Sequence, residues 1–339
     1  MSLDRAPAAI LVEELHKSFG RVHALRGVSF AVPRGTVVGL LGPNGAGKTT
    51  AVRILTTLTR PDSGRALVEA RDAVRDAASV RRLIGLAGQA TAIQVELTAR
   101  ENLEIIGRLT HLPRPVVRER TASLLSRFDL AEAADRPART LSGGMQRRLD
   151  LAASLIGEPA VLFLDEPTTG LDPRGRLHMW EIVRELSAAG TTILLTTQYM
   201  DEADALAGHI IVIDHGRVIA EGAPEELKER AGGDVLEFTV LERSELAGAA
   251  AAVSGLNGRE PQPDGETGRV TVAVGGASAR AMIEVVRRLD AAGIETEGLV
   301  LRRPSLDDVF LALTGHQAEH ELRGRSGPRR RPAGSAAES

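Results

Sequence analysis

The chain has 339 residues, a length that leaves room for two domains. Its 43% hydrophobic content suits a globular protein, and its longest apolar stretches fall well short of the roughly 20 residues that a membrane helix needs. A net charge of −3 argues against nucleic acid as the main partner, and the absence of cysteine excludes disulfides and cysteine-bound metals. Because no apolar segment opens the chain, we expect a cytoplasmic protein.

The first predicted elements are strands that lead into a glycine-rich loop. Residues 10–15 and 28–32 alternate between apolar and polar side chains, which predicts an antiparallel edge to a sheet. The apolar run 37–41 predicts a buried strand, and a helix is expected to begin near Lys48 and to continue through 50–59. The loop between them contains Gly42, Pro43, Asn44, Gly45, Ala46 and Gly47, and Lys48, Thr49 and Thr50 follow it.

This strand, loop and helix fit the phosphate-binding pattern G-x-x-x-x-G-K-[ST] in the context that the pattern requires. The glycines allow successive backbone N–H groups to face a phosphate, and the helix N-terminus adds positive charge. Lys48 can then reach the β- and γ-phosphates while the Thr49 hydroxyl ligates Mg²⁺. A glycine-rich turn that matches by chance is the alternative. We therefore predict a nucleoside triphosphate site here.

A second apolar strand ends in adjacent carboxylates. The run 161–164 is fully apolar and is followed by Asp165 and Glu166. Carboxylates at the end of a buried parallel strand are costly to desolvate unless a cation or a reaction requires them. We expect Asp165 to hold Mg²⁺ through water and Glu166 to orient and deprotonate an attacking water. The predicted reaction is ATP hydrolysis; an exposed acidic turn is the alternative.

A further glycine-rich turn lies between these two segments, at the expected start of a helix, and consists of Leu141, Ser142, Gly143, Gly144 and Met145. With this turn added, residues 8–225 resemble the ATP-binding cassette (ABC) ATPases, the motor subunits of ABC transporters. The resemblance implies an α/β P-loop cassette with a mostly parallel sheet, an antiparallel edge subdomain and a helical subdomain at about 90–157. It also implies ATP and Mg²⁺ as ligands.

The same resemblance implies roles for further residues. Gln89 matches a glutamine that senses Mg²⁺ as a ligand and faces the membrane partner, and Asp172 matches the D-loop, which crosses a dimer interface. Phe19 stands where the family places an aromatic ring against adenine; a core phenylalanine is the alternative. Gln198 stands where the family usually has a histidine that contacts the γ-phosphate. Because an amide donates a hydrogen bond but does not titrate, we expect hydrolysis by Lys48, Glu166 and Gln198 at an altered rate.

In the family, the turn at 141–145 contacts a nucleotide held by another cassette, and this chain has a single cassette. We therefore expect a homodimer in which two ATP molecules lie between Lys48 of one copy and Ser142 of the other. The resemblance implies a separate multi-span permease as the second partner. It would hold the chain at the inner face of the cell membrane.

The pattern of residues 226–315 predicts a small α+β domain with a ferredoxin-like arrangement. We expect this domain to support interaction or dimerisation; extra packing is the alternative. Strands are expected near 236–241, 270–274 and 294–301, with helices at 244–253 and 277–292. Ser305 and Asp308 form a predicted capping box for a helix at 306–313. Residues 316–339 are polar and arginine-rich, which predicts a disordered basic tail rather than a lipid contact or a metal site at His316 and His320.

The glycine-rich loop 42–50, Gln198 and the run 304–315 together resemble the daunorubicin/doxorubicin-resistance group, which implies export of drugs or secondary metabolites. Cassettes that export lipid, polysaccharide or sodium are alternatives. A soluble ABC ATPase of translation or DNA maintenance is another, but such proteins carry a second cassette or a long coiled coil, and this sequence has neither. A kinase or GTPase would leave the turn at 141–145 unexplained.

Overall fold

The computed structural model of the chain describes residues 8–88, 92–230, 233–256, 260–274 and 278–310. The chain divides into two compact units, Met1–Pro224 and Glu225–Ser339. Within the described residues, no helix is both long enough and apolar enough to cross a membrane. The basic tail and the two histidines within it lie outside the described part of the chain.

The first unit alternates strands and helices along the sequence. Its strands are β1 (Ala8–Phe19), β2 (Val22–Pro33), β3 (Val37–Leu41), β4 (Ser63–Val68), β5 (Arg71–Asp72), β6 (Ile84–Ala87), β7 (Val161–Asp165), β8 (Thr192–Thr197), β9 (His209–Asp214) and β10 (Arg217–Gly222). Its helices are α1 (Lys48–Leu55), α2 (Ala77–Arg81), α3 (Ala99–Leu109), α4 (Arg114–Arg127), α5 (Gly143–Leu155), α6 (Pro173–Ala188) and α7 (Met200–Leu206).

The central sheet has the strand order β10-β9-β3-β8-β7-β6, and all of its neighbouring pairs are parallel except β10 with β9. Every residue of β3, β7 and β8 is buried. Along β7, Val161 and Phe163 join one hydrophobic core while Leu162 and Leu164 join the other, because successive side chains point to opposite faces. A strand covered on both faces has no solvent-facing position, so apolar residues dominate its sequence, although β8 also buries three threonines.

A second, antiparallel sheet flanks the first, in the order β2-β1-β4-β5. The predicted antiparallel edge is confirmed, with β1 and β2 longer than the alternating stretches indicated. The strands β4 and β5 were not predicted. They are short, and polar residues such as Ser63 and Arg71 occupy them.

The helix after the glycine-rich loop is shorter than expected, so the prediction of a helix through residue 59 is wrong. It ends at Leu55, and the Thr56 hydroxyl donates to the carbonyl of Val52. Thr57 then takes a left-handed conformation with φ 65°, which a β-branched residue rarely adopts within a helix. Leu58, which follows, therefore lies in a bend rather than in a further helical turn.

The region between β6 and β7 is helical, as the sequence predicted. Thr98 caps α3 in a reciprocal capping box: its hydroxyl accepts from the Glu101 N–H at 3.1 Å, and the Glu101 carboxylate accepts from the Thr98 N–H at 2.8 Å. Leu103, Phe128 and Leu149 bring α3, the end of α4 and α5 into one apolar core. This core fixes the N-terminus of α5, where the second glycine-rich turn lies.

The second unit contains α8 (Pro224–Arg230), α9 (Leu246–Val253) and α10 (Ser278–Ala291), with strands β11 (Val235–Val240), β12 (Gln262–Asp264), β13 (Arg269–Ala273) and β14 (Thr296–Arg302). Its antiparallel sheet has the order β12-β13-β11-β14. From β11 to β14 the order is β-α-β-β-α-β, the arrangement expected for a ferredoxin-like domain. The capping box is confirmed, because the Ser305 hydroxyl accepts from the Asp308 N–H at 3.3 Å and Asp308 accepts from the Ser305 N–H. The helix it opens is described through residue 310.

Candidate nucleotide site

The glycine-rich loop turns tightly between β3 and α1. Gly45 and Gly47 have φ values of 83° and 112°, in the region that favours glycine. A Cβ atom at Gly47 would lie 2.5 Å from the carbonyl oxygen of Ala24, so the loop also needs glycine there for space. This backbone leaves the loop N–H groups and the N-terminus of α1 on the same side, an arrangement that suits phosphate.

Lys48 lies at the first position of α1 with its side chain folded against the loop. Only 4% of it is exposed. Its ammonium donates to the carbonyls of Gly42 at 2.6 Å and Pro43 at 3.1 Å, and it lies 3.9 Å from Oε1 of Glu166. Burial lowers the pKa of Lys48, and the nearby carboxylates of Glu166 and Asp165 oppose that effect. The structure thus places the predicted catalytic residues Lys48 and Glu166 close together.

Oxygen donors converge beside this lysine, at the carboxyl end of β7. The Thr49 hydroxyl donates to Oδ1 of Asp165 at 3.3 Å, and the Thr196 hydroxyl donates to the same oxygen at 2.5 Å. Hydroxyl and carboxylate oxygens are ligands that Mg²⁺ prefers, so Thr49 and Asp165 fit a magnesium site by their chemistry and proximity. Gly88 packs so closely on Asp165 that a Cβ would come within 2.7 Å of the Asp165 Cβ. Gln89, the next residue, lies outside the described residues.

Glu166 has the unusual backbone of the site. Its φ is 53°, a left-handed value that a non-glycine residue adopts at a cost of about 1–3 kcal/mol. Its N–H donates to the Thr196 carbonyl at 3.0 Å, and the Thr169 hydroxyl donates to its carboxylate at 3.4 Å. The side chain is 8% exposed. The Glu166 carboxylate thus lies beside the phosphate loop and near the oxygen donors Thr49 and Asp165. In this position it can accept a proton from water.

The second glycine-rich turn opens α5, as predicted. Ser142 is the N-cap residue, and its hydroxyl accepts from the Met145 N–H at 3.3 Å. A Cβ at Gly143 would meet nothing within 4 Å, so this backbone is open to approach. A cavity of about 430 Å³ contains Ser142, Gly144 and Asp172 but no residue of the phosphate loop.

The D-loop, which contains Asp172, connects the end of β7, with Asp165 and Glu166, to the turn at 141–145. Asp172 caps α6, accepting from the Gly175 N–H at 3.0 Å. Thr169, three residues earlier, contacts the Glu166 carboxylate. The loop therefore lies between Glu166 and the turn at 141–145, and its Asp172 has a structural role in addition to any role at an interface.

Two further predicted residues lie at element ends. Gln198 directly follows β8 and is half-buried. Phe19 ends β1 and is 53% exposed, which excludes the alternative of a core phenylalanine. The ammonium of Lys17 lies 5.4 Å from the centre of the Phe19 ring. The ring is therefore available at the surface for a flat ligand.

The motif analysis missed three polar residues that support the site: Arg147, Asp150 and Thr196. Arg147 and Asp150 belong to α5, where the charged Asp150 stands among the buried residues Leu149, Leu151 and Ala152. A charge within an apolar helical face is a signal that the sequence offered. Thr196 offered none, since a threonine is ordinary in a strand.

The fold and these contacts define the class of the protein as a P-loop ATPase with a second anion-binding turn on a helical subdomain. The family model described as ABC transporter matches residues 25–169. The chain is 54% identical to the daunorubicin resistance ATP-binding protein DrrA2 of Streptomyces coeruleorubidus, over 92% of this chain and 97% of that protein. It is 46% identical to the doxorubicin resistance ATP-binding protein DrrA of Mycobacterium tuberculosis (92% and 95%) and 41% identical to the Nod factor export ATP-binding protein I of Ralstonia nicotianae (90% and 94%).

Solved structures agree with these relatives. The protein cbiO1 from Clostridium perfringens, described as part of an ABC transporter complex, matches with a TM-score of 0.60 and 31% identity, over 65% of this chain and 90% of that one. An ATP-binding cassette in a dimeric, post-hydrolysis state with ADP and Pi matches with a TM-score of 0.58 and 25% identity, over 63% and 98%. The chain belongs to the ABC transporter family, as an ATP-binding subunit whose ATPase activity is coupled to transport. The predicted resemblance, including the drug-resistance group, is confirmed.

Proposed function

We propose that two copies of this chain enclose two ATP molecules and drive a separate membrane permease that exports drugs or secondary metabolites. The observation that carries the proposal is the separation of two anion-binding turns in one chain. The cavity at Ser142 contains no residue of the phosphate loop, so the turn at 141–145 suits a nucleotide held by another copy. The dimeric cassette with ADP and Pi, to which this chain is similar, supports this arrangement.

Within each copy, the residues divide the work of hydrolysis. Lys48 would leave the carbonyls of Gly42 and Pro43 to bind the β- and γ-phosphates. Thr49 and Asp165, with Gln89, would hold Mg²⁺, which screens phosphate charge when bound. Glu166 would orient the attacking water and accept its proton.

The partner copy and two further residues complete the nucleotide site. Phe19 would stack on adenine, and Gln198 would donate its amide N–H to a γ-phosphate oxygen. From the second copy, the Ser142 hydroxyl and the N–H groups of Gly143 and Gly144 would bind the same phosphate at a helix N-terminus.

The permease is proposed to contact the groove between β6 and the helical region. A cavity of about 700 Å³ lies there, and its lining includes Arg82, Leu109, Ala92 and Asp150. Ala92 is close in sequence to Gln89, which in the family faces the membrane partner. Docking at this groove would place the chain at the inner face of the membrane.

The sandwich is tested by trapping it. Glu166→Gln should bind Mg-ATP and hydrolyse it only very slowly, and light scattering should then report a dimer at saturating ATP and a monomer without nucleotide. Ser142→Arg in the same background should remove the dimer, because the arginine fills the second cradle. Ser123→Arg, on the exposed side of α4, is the matched control and should leave the dimer intact. A Glu166→Gln protein that stays monomeric would contradict the sandwich.

The transport role is tested separately, by purification from native membranes with Mg-ATP. A multi-span protein should copurify with the chain, and transported compounds should change its rate of ATP hydrolysis. Recovery of an active ATPase without such a partner would favour a soluble, non-transport ABC ATPase.

A further inference from the structure

Arg147 belongs to α5, five residues after Ser142. Its guanidinium contacts the main chain at the carboxyl end of β7, around Glu166. It donates to four backbone carbonyls, at 2.6 Å to Gly88, 2.7 Å to Pro167, 2.5 Å to Glu166 and 3.5 Å to Asp165. Three of these carbonyls are consecutive and centre on Glu166. The planar, multi-donor geometry of arginine is what permits one side chain to bind several carbonyls at once.

Asp150 lies one helical turn further along α5 and binds the other side of the same region. Its carboxylate accepts from the N–H of Gly88 at 3.2 Å and from the N–H of Ala92 at 3.3 Å. It is 4.0 Å from Nη1 of Arg147. The two charged residues thus bind main-chain groups of Gly88 and Ala92 and, through Arg147, the carbonyls around Glu166.

This pair is buried where apolar side chains would pack without electrostatic cost. The exposed fractions of the side chains are 16% for Arg147 and 4% for Asp150. Burial lowers the pKa of Arg147 and raises the pKa of Asp150, so burial works against the charge of each partner. A buried ion pair adds little net stability compared with an apolar pair of similar volume. What the pair does provide is a fixed geometry for the main-chain groups of Gly88 and Ala92 and for the three carbonyls of residues 165–167.

Glu166 is the group that needs such support. Its left-handed backbone is a conformation that persists only where the surroundings enforce it. Thr196 restrains the N–H side of Glu166, whereas Arg147 binds its carbonyl and those of both its neighbours. The direction of the Glu166 side chain therefore depends on the position of α5.

We propose that Arg147 is a positioning residue for Glu166 and that Asp150 orients Arg147 and links it to the main chain at Gly88 and Ala92. Movement of α5 then changes the placement of the proton-accepting carboxylate. The proposal rests on the role of Glu166 in the proposed function. It adds a link, within one chain, between the helix that carries the turn at 141–145 and the hydrolytic centre.

The first test is steady-state ATP hydrolysis by Arg147→Ala and Arg147→Lys in the full chain. We expect Arg147→Ala to lower kcat by about 10- to 100-fold, the loss associated with a displacement of about 1 Å in a catalytic group. KM and the affinity for a fluorescent ATP analogue should stay within about twofold. Lysine restores the charge but lacks the planar set of donors, so Arg147→Lys should recover only part of kcat.

The matched control is Arg120→Ala. Arg120 is also partly buried and also binds a main-chain carbonyl, that of Ile156, together with the carboxylate of Glu158. Its contacts lie away from Glu166, so its loss should lower thermal stability without lowering kcat. Melting temperatures of all variants show whether any loss of rate follows from unfolding.

A double-mutant cycle with Glu166→Gln, measured as single-turnover hydrolysis, separates positioning from general damage. If Arg147 acts through Glu166, Arg147→Ala should slow the wild-type background and have little further effect in the Glu166→Gln background. Equal effects in both backgrounds, or an unchanged kcat in Arg147→Ala, would overturn the proposal. If Glu166→Gln itself hydrolyses ATP at the wild-type rate, the assignment of Glu166 fails instead.

Discussion

At the scale of single residues, Gln198 stands where the family usually has a histidine, and this difference has a direct chemical consequence. It follows β8, the strand whose Thr196 binds both Asp165 and the backbone of Glu166. An amide can donate one hydrogen bond to a phosphate oxygen, but it carries no charge and has no proton to exchange near neutral pH. Its contribution is therefore expected at the hydrolytic step more than in ground-state binding.

We predict that Gln198→Ala lowers kcat more than it weakens ATP binding, since loss of one hydrogen bond to a charged group costs about 1.5–3 kcal/mol. Rates of phosphate release and titration with a fluorescent ATP analogue measure the two quantities. Gln262→Ala, in the exposed strand β12, is the control for loss of a glutamine amide. An unchanged kcat in Gln198→Ala would remove this residue from the mechanism.

Glu202 is a buried carboxylate that makes the stability of the fold depend on pH. Burial raises its pKa above the ordinary value of 4.5, against the opposing effects of the Trp180 indole N–H, which donates to it at 3.3 Å, of the neighbouring hydroxyls of Thr197 and Thr168, and of the cation Arg176. A carboxylate with a raised pKa in the folded state favours folding below its unfolded pKa. That contribution is lost as pH rises through the folded pKa.

We therefore predict that Glu202→Gln gains stability relative to wild type as pH rises from 5 to 8, because the glutamine stays neutral throughout. Each pKa unit of elevation corresponds to about 1.4 kcal/mol. Urea unfolding at several pH values measures the difference in unfolding free energy. Glu119→Gln, at an exposed position of α4, removes the same charge and controls for net charge. A pH-independent difference between Glu202→Gln and wild type would contradict this account.

At the scale of elements, the sequence predicted the strands and helices whose own residues determine their conformation. The apolar runs of β3 and β7 are covered on both faces, and the helices α3 and α5 follow the capping residues Thr98 and Ser142. The strands β4 and β5 were missed because each owes its conformation to a neighbour in the sheet rather than to its own side chains. The overlong helix prediction after Lys48 failed for a similar reason, since propensity does not reveal the left-handed turn at Thr57.

The candidate site shows the same division. The phosphate loop, the carboxylates and the turn at 141–145 are each a short contiguous motif whose chemistry depends on neighbouring residues, so the sequence discloses them. Arg147 contacts the main-chain carbonyls of Gly88 and Pro167. Because every residue type has such a carbonyl, the sequence does not show which ones are contacted. Contacts between a side chain and distant main chain therefore become visible only with the fold.

At the scale of the whole molecule, one chain carries two halves of different sites. The phosphate loop has its lysine, magnesium-type donors and carboxylate within contact of one another, while Ser142 and Gly144 share a cavity with the D-loop. Each half is rigidly built: one at the N-terminus of α1, the other at the N-terminus of α5. Two-fold pairing would complete both sites with the same interface.

This arrangement predicts complementation between two inactive copies. Lys48→Ala spoils the phosphate loop but leaves the turn at 141–145 intact, and Ser142→Arg does the reverse. In a mixed dimer, one site combines the intact loop of one copy with the intact turn of the other. Each mixed dimer has one complete site of two, so ATP hydrolysis in the mixture should recover to at most about half of the wild-type rate.

The measurement is ATP hydrolysis by the two variants alone and mixed at constant total protein. Mixing Lys48→Ala with a copy that also carries Lys48→Ala and Ser142→Arg together is the control, because no pairing of those two copies contains an intact phosphate loop. Recovery in the first mixture and none in the second requires Lys48 and Ser142 to act from opposite copies. If the first mixture shows only the sum of its separate rates, the nucleotide is bound by one chain alone, and the turn at 141–145 needs another explanation.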